Sequence, residues 1–132
     1  MQVTKAMKKA MRITDPALPR RSICPVASTL DRIGDKWSLL LVRDMLAGKS
    51  TYGHFLESPE GIPTNILADR LKRLEQFGIV TRSVYQERPI RHAYSLTAEG
   101  KQLRRVLREI ADWGLQNIPG TKKEIVPGSF NK

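Results

Sequence analysis

Cysteine is nearly absent from this chain of 132 residues. The single thiol, Cys24, excludes an internal disulfide framework and any multi-cysteine zinc site. Two histidines, His54 and His92, stand too far apart to give metal-ligand spacing. Phe and Tyr number three each, too few for the interleaved stacking platform of a single-strand binder. The longest apolar run, Leu39–Val42, falls far short of the roughly 20 residues a membrane span needs. Residues 1–21 are basic without an apolar centre, so they do not read as a secretory signal, and a cytoplasmic protein with no membrane partner is expected. No Ser-His-Asp set, His-Glu-x-x-His, glycine-rich phosphate loop or carboxylate cluster is present. The chain therefore reads as a non-enzyme, with no cofactor and no metal. Acid is scarce too: 13 Asp and Glu face 23 Lys and Arg, a formal charge of +10. Such an excess attracts polyanions, and the shortage of aromatics favours duplex over single strand.

What is present divides into a basic arm that reads as flexible (1–21), one domain (22–118) and a C-terminal tail (119–132). An arm inserted into a DNA groove is the alternative for the first segment. Pro25 suits a first helical turn, with Cys24 as N-cap and Gly34 as stop. Asp35 caps the next expected helix, 36–47, which is apolar nearly all round and should be the buried centre. Ser50 opens a short helix through about Leu56, with Tyr52, Phe55 and Leu56 turned inward. After the turn Ser58–Gly61, a helix over 63–77 carries Ile66, Leu67, Leu71, Leu74 and Phe77 on one face, with Thr64 as its cap and Gly78 as its stop. Two helices joined by a tight turn, the second polar on its free face, make a helix-turn-helix. Strands at 79–85 and 92–96, broken by Arg88-Pro89-Ile90-Arg91, form a hairpin directly behind it, a wing over 86–92. Thr97 caps a last helix to about Ile118. The fold class is mainly α with a small β-hairpin, a winged helix-turn-helix dimerising through terminal helices. The apolar stripe of the closing helix (Leu103, Val106, Leu107, Ile110, Trp113 and Gly114, extending to Leu115) exceeds what so small a core needs. Leu103, Leu107, Ile110 and Trp113, helped by Val26 and Leu30, are expected at a homodimer interface.

The residues Cys24-Pro25, Leu30-x-x-Ile33-Gly34-x-Lys36-Trp37, Gly61-Ile62, Leu67 with Arg70-Leu71-x-x-Leu74-Glu75, Gly78-Ile79-Val80 and Pro89 with Tyr94-Ser95-Leu96-Thr97-x-x-Gly100 occur in order, and Trp113 follows. In this combination, over residues 24 to about 114, the chain resembles the HxlR-type regulators, winged-helix proteins close to the MarR group. The resemblance implies a homodimer that binds double-stranded DNA at specific sites and controls a neighbouring gene, by repression in the reading taken here.

Candidate DNA contacts follow from chemistry. Thr64, Asn65 and Asp69 sit early on the 63–77 helix and face outward. Asn65 can bond adenine at N6 and N7, while Lys72 and Arg73 can reach guanine or phosphate. Arg88 and Arg91 in the wing, and Ser50 and Thr51 at a helix start, suit phosphate. Arg70 lies at the edge of the apolar face, equally suited to DNA or to bracing the fold through Glu75 or Asp44. Cys24, behind Arg20 and Arg21, sits in the positive field that makes a thiol reactive. The resemblance adds that some relatives use a cysteine at the matching position to sense oxidants or electrophiles. A buried packing role is the reading preferred for Cys24, with an oxidant or small-molecule effector as the alternative. A non-specific architectural protein binding DNA or RNA is the alternative for the whole chain.

Overall fold

The computed structural model describes residues 11–123. Helices α1 (Pro25–Ile33), α2 (Ser38–Leu46), α3 (Tyr52–Leu56) and α4 (Thr64–Gln76) come first. Strands β1 (Val80–Glu87) and β2 (Ile90–Leu96) follow, and helix α5 (Ala98–Asn117) closes the domain. Local chemistry sets most of these limits. Pro25 occupies the first turn of α1. The Asp35 carboxylate accepts the amides of Trp37 and Ser38, each at 3.1 Å, so it caps α2 from outside the helix. Thr51 accepts the His54 amide at 3.3 Å and starts α3. Gly78, at φ +77°, ends α4 in the left-handed conformation that a side chain would oppose.

The core is built around α2. Leu41, Val42, Met45 and Leu46 meet Phe55 of α3, then Leu67, Leu71 and Leu74 of α4. Ile33, Ile62, Phe77, Ile79, Val80, Tyr94 and Leu107 complete it. The hairpin pairs Val80 with Leu96 and Arg82 with Tyr94, and its register shifts between Val84 and Gln86. Such a bulge re-aims the outer part of the hairpin.

Several boundaries differ from expectation. Pro63 is the extended residue before α4, and its carbonyl takes the first helical bond, from the Leu67 amide at 2.9 Å. Thr64 therefore lies inside the first turn and makes no side-chain cap. Helix α3 is a single short turn with one face to bury: Phe55 fills it, while Tyr52 and Leu56 stay exposed. The strands run further than their apolar content suggested, so Ile90 and Arg91 belong to β2 and only Arg88-Pro89 form the tip. Leu107, expected at a subunit interface, lies in the protomer's own core, and Leu103 is half-buried against it. Within the segment read as a flexible arm, Met11, Ile13 and Leu18 pack against the core. The Ile13 amide donates to Phe77 O at 2.5 Å, and Arg32 reaches the Pro19 carbonyl. Residues 1–10 and 124–132 of the expected arm and tail lie outside the described residues.

Candidate nucleic-acid interface

Anchoring Leu67, Leu71 and Leu74 in the core turns the opposite face of α4 outward. Thr64, Asn65, Asp69 and Lys72 are all exposed there, and Arg73 is half-buried beside them. Arg88 and Arg91 stand exposed on the hairpin. Ser50 and Thr51 are half-buried where α3 meets the sheet, the Ser50 carbonyl accepting the Tyr94 amide at 2.8 Å. The Thr51 hydroxyl is committed to capping α3, and the Ser50 amide donates to His54 Nδ1 at 3.3 Å.

Arg70 has a different task. Its Nε donates to Asp35 at 2.9 Å, and its other end meets Asp69. The brace runs to Asp35, not to Glu75 or Asp44. Helix α4 presents Arg70 to the start of α2, whereas Glu75 pairs with Arg82 at 3.1 Å and Asp44 pairs with Arg43 and Ser58. Burial pushes the Asp35 carboxyl upward, but hydrogen bonds from Ser38, Arg70 and two amides outweigh it. The carboxyl is held below the ordinary range, and Asp35 in turn raises Arg70. Through these two contacts Arg70 ties α4 to the start of α2, the bracing role that the sequence offered beside DNA contact.

A cleft of about 520 Å³ separates α3 from the hairpin and brings together residues the sequence reading did not select. Tyr52, Arg82, Tyr85 and His92 line it beside Thr51 and Arg91. The Tyr52 and Tyr94 rings lie 6.1 Å apart across its floor. Burial pushes the Tyr94 hydroxyl up, with Tyr52 adding to the shift. Strand alternation could have grouped Arg82 with Tyr94, but the bulge that admits Tyr85 has no sequence signature here.

Cys24 is the extended residue before α1 and is exposed, which differs from the buried packing cap expected from the sequence. A residue just ahead of a first helical turn has no second wall to bury it, and Ile23 beside it is exposed as well. Val26, Leu30, Ile110 and Trp113 are exposed apolar side chains on α1 and α5. No group of His, Cys, Asp and Glu able to hold a metal occurs among the described residues, and none of their helices is long and apolar enough to cross a membrane.

The HxlR-like helix-turn-helix family matches residues 32–122. The HTH-type transcriptional regulator sll1512 of Synechocystis sp. is 40% identical over 93 residues, 70% of this chain and 69% of that one. The HTH-type transcriptional regulator YybR of Bacillus subtilis is 37% identical over 99 residues, 75% of this chain and 79% of its own. Among solved structures, the redox regulator HypR in its oxidized form superposes with a TM-score of 0.65 at 35% identity, over 77% of this chain and all of that one. The helix-turn-helix, the hairpin behind it and the sequence relatives agree, and the chain belongs to the HxlR-like helix-turn-helix family of transcriptional regulators.

Proposed function

We propose that this regulator is a homodimeric repressor that reads an inverted repeat in double-stranded DNA in the cytoplasm. The observation that carries the reading is the exposed face of α4, where Asn65, Asp69 and Lys72 stand clear of the core on the same body as Arg88 and Arg91. Asn65 supplies the amide pair that matches adenine, and the wing arginines supply sequence-independent attraction. The formal charge of +10 strengthens that attraction. Asn65→Ala is expected to cost about 1–3 kcal/mol on the cognate operator and little on random duplex. Equal losses on both, in titrations at one fixed salt concentration, would instead favour the non-specific architectural reading.

A second reading concerns the signal. The Cys24 thiol is exposed, and a similar structure is that of a redox regulator in its oxidized form. Two copies of Cys24 could join as an intersubunit disulfide, an oxidant such as diamide taking up the two hydrogens. Diamide is expected to weaken operator binding of the wild type and leave Cys24→Ser unchanged. A wild type that keeps full affinity after its thiol is consumed would place the signal elsewhere.

A further inference from the structure

A cavity of about 490 Å³ opens between α2, the turn that precedes α4, and the end of α5. That volume falls inside the roughly 300–1,000 Å³ typical of small-molecule sites. Its walls are of two kinds. Ala47, Pro59 and Leu115 give an apolar floor, and Lys49, Lys122 and Lys123 give a cationic rim.

The acidic groups in the cavity are already committed. Arg43 holds Glu60 through two bonds of 2.7 and 2.9 Å, and it also holds Asp44 at 2.9 Å. Each charge stabilises the other: the Glu60 bond raises the Arg43 guanidinium, and Arg43 lowers the Glu60 carboxyl. The remaining Asp44 oxygen accepts the Ser58 hydroxyl at 2.6 Å, and Ser58 in turn accepts from Lys49 Nζ at 2.8 Å. Lys122 and Lys123 enter no ion pair among the described residues. Arg43 offsets one of the two carboxylate charges and Lys49 reaches the other through Ser58, so Lys122 and Lys123 leave an excess of positive charge over the apolar floor.

We propose that this cavity is a binding site for a small organic carboxylate. The apolar floor takes the hydrocarbon body, and Lys49, Lys122 and Lys123 take the charged end. Inorganic phosphate would satisfy the lysines but leave the floor uncovered. The site borders the apolar face proposed for dimerisation: at 3.6 residues per turn Gly114, which lines it, lies about 40° round α5 from Ile110, and Leu115 about 140°. Its position also matters for regulation. Ser58, Pro59 and Glu60 form the turn that carries α4, so an occupant touches the segment from which the reading helix starts.

The test is calorimetric titration of the full-length, DNA-free protein with 2-naphthoate, 2-naphthamide and inorganic phosphate. Because no DNA is present, its result is independent of the operator reading. Saturable binding of naphthoate is expected, with naphthamide and phosphate at least tenfold weaker. The double variant Lys122→Ala/Lys123→Ala, whose positions are exposed, is expected to keep the wild-type melting temperature and lose naphthoate affinity by at least tenfold. Absence of saturable naphthoate binding, equal affinity for the amide, or a double variant within twofold of wild type would overturn the proposal.

Discussion

Asp35 shows how one side chain can cap one helix and position another. It accepts two amides at the start of α2, the Ser38 hydroxyl at 2.5 Å, and Arg70 of α4 at 2.9 Å. It is both a helix cap and a tie between two elements, and its side chain is only 21% exposed. Loss of the charge should cost about 1–3 kcal/mol, the range for a cap and a charge-assisted hydrogen bond. The pH dependence has a definite sign. The folded carboxyl lies below its unfolded value, so its contribution is fully present above about pH 4 and is lost as pH falls through the lower folded value. Asp35→Asn should therefore be less stable than wild type near pH 7, and the gap should narrow in strong acid. Urea unfolding at about pH 7 and about pH 2.5 checks this. A gap of the same size at both would mean that the ionised carboxylate is not what Asp35 contributes.

Among the elements, the junction between α4, β1 and α5 is the most tightly specified. The Thr97 hydroxyl accepts the Gly100 amide at 3.1 Å and donates to the Gly78 carbonyl at 2.6 Å, so one side chain starts α5 and fastens it to the turn after α4. Gly100 then passes so close to Ile79 that a Cβ would collide with its carbonyl oxygen. Gly100→Ala is expected to destabilise the domain by about 1–3 kcal/mol through forced backbone displacement, despite the better helix propensity of alanine. A melting temperature equal to or above wild type would show that α5 can shift away without loss. This junction was half legible in the sequence. Thr97 declares itself as a cap, and the spacing of Leu67, Leu71 and Leu74 declares the buried face of α4, because both signals are local. The Arg70–Asp35 tie spans 35 positions and carries no periodic signal, so the sequence points instead to Glu75 and Asp44, both nearer along the chain. Met11, Ile13 and Leu18 are too few and too irregularly spaced to mark a packed segment, although they cover part of the core. The stripe on α5 was visible as a whole, but its division was not. Which side of a wide stripe faces the protomer's own core depends on where α2 sits.

The whole molecule leaves apolar surface that one chain does not cover. With Leu107 buried and Leu103 half-buried at home, the exposed set on α5 becomes Val106, Ile110, Trp113 and Leu115, and Val26 and Leu30 add to it from α1. Trp113 is 63% exposed and Val26 64%, large values for residues whose side chains gain most by leaving water. A second copy packed on these faces would bury them symmetrically, each helix meeting its mate. Two α4 helices would then stand roughly 34 Å apart, matched to half-sites one helical turn apart. Trp113→Glu puts a charge into that contact while leaving the protomer core untouched. Sedimentation at micromolar concentration should show the wild type as a dimer and the variant as a monomer with an unchanged far-ultraviolet spectrum. The variant should also lose most of its affinity for the inverted repeat, since two half-sites held together bind far better than one. Its residual binding should match that of the wild type on an isolated half-site. A wild type that sediments as a monomer and binds one half-site with full affinity would show that another partner covers this surface.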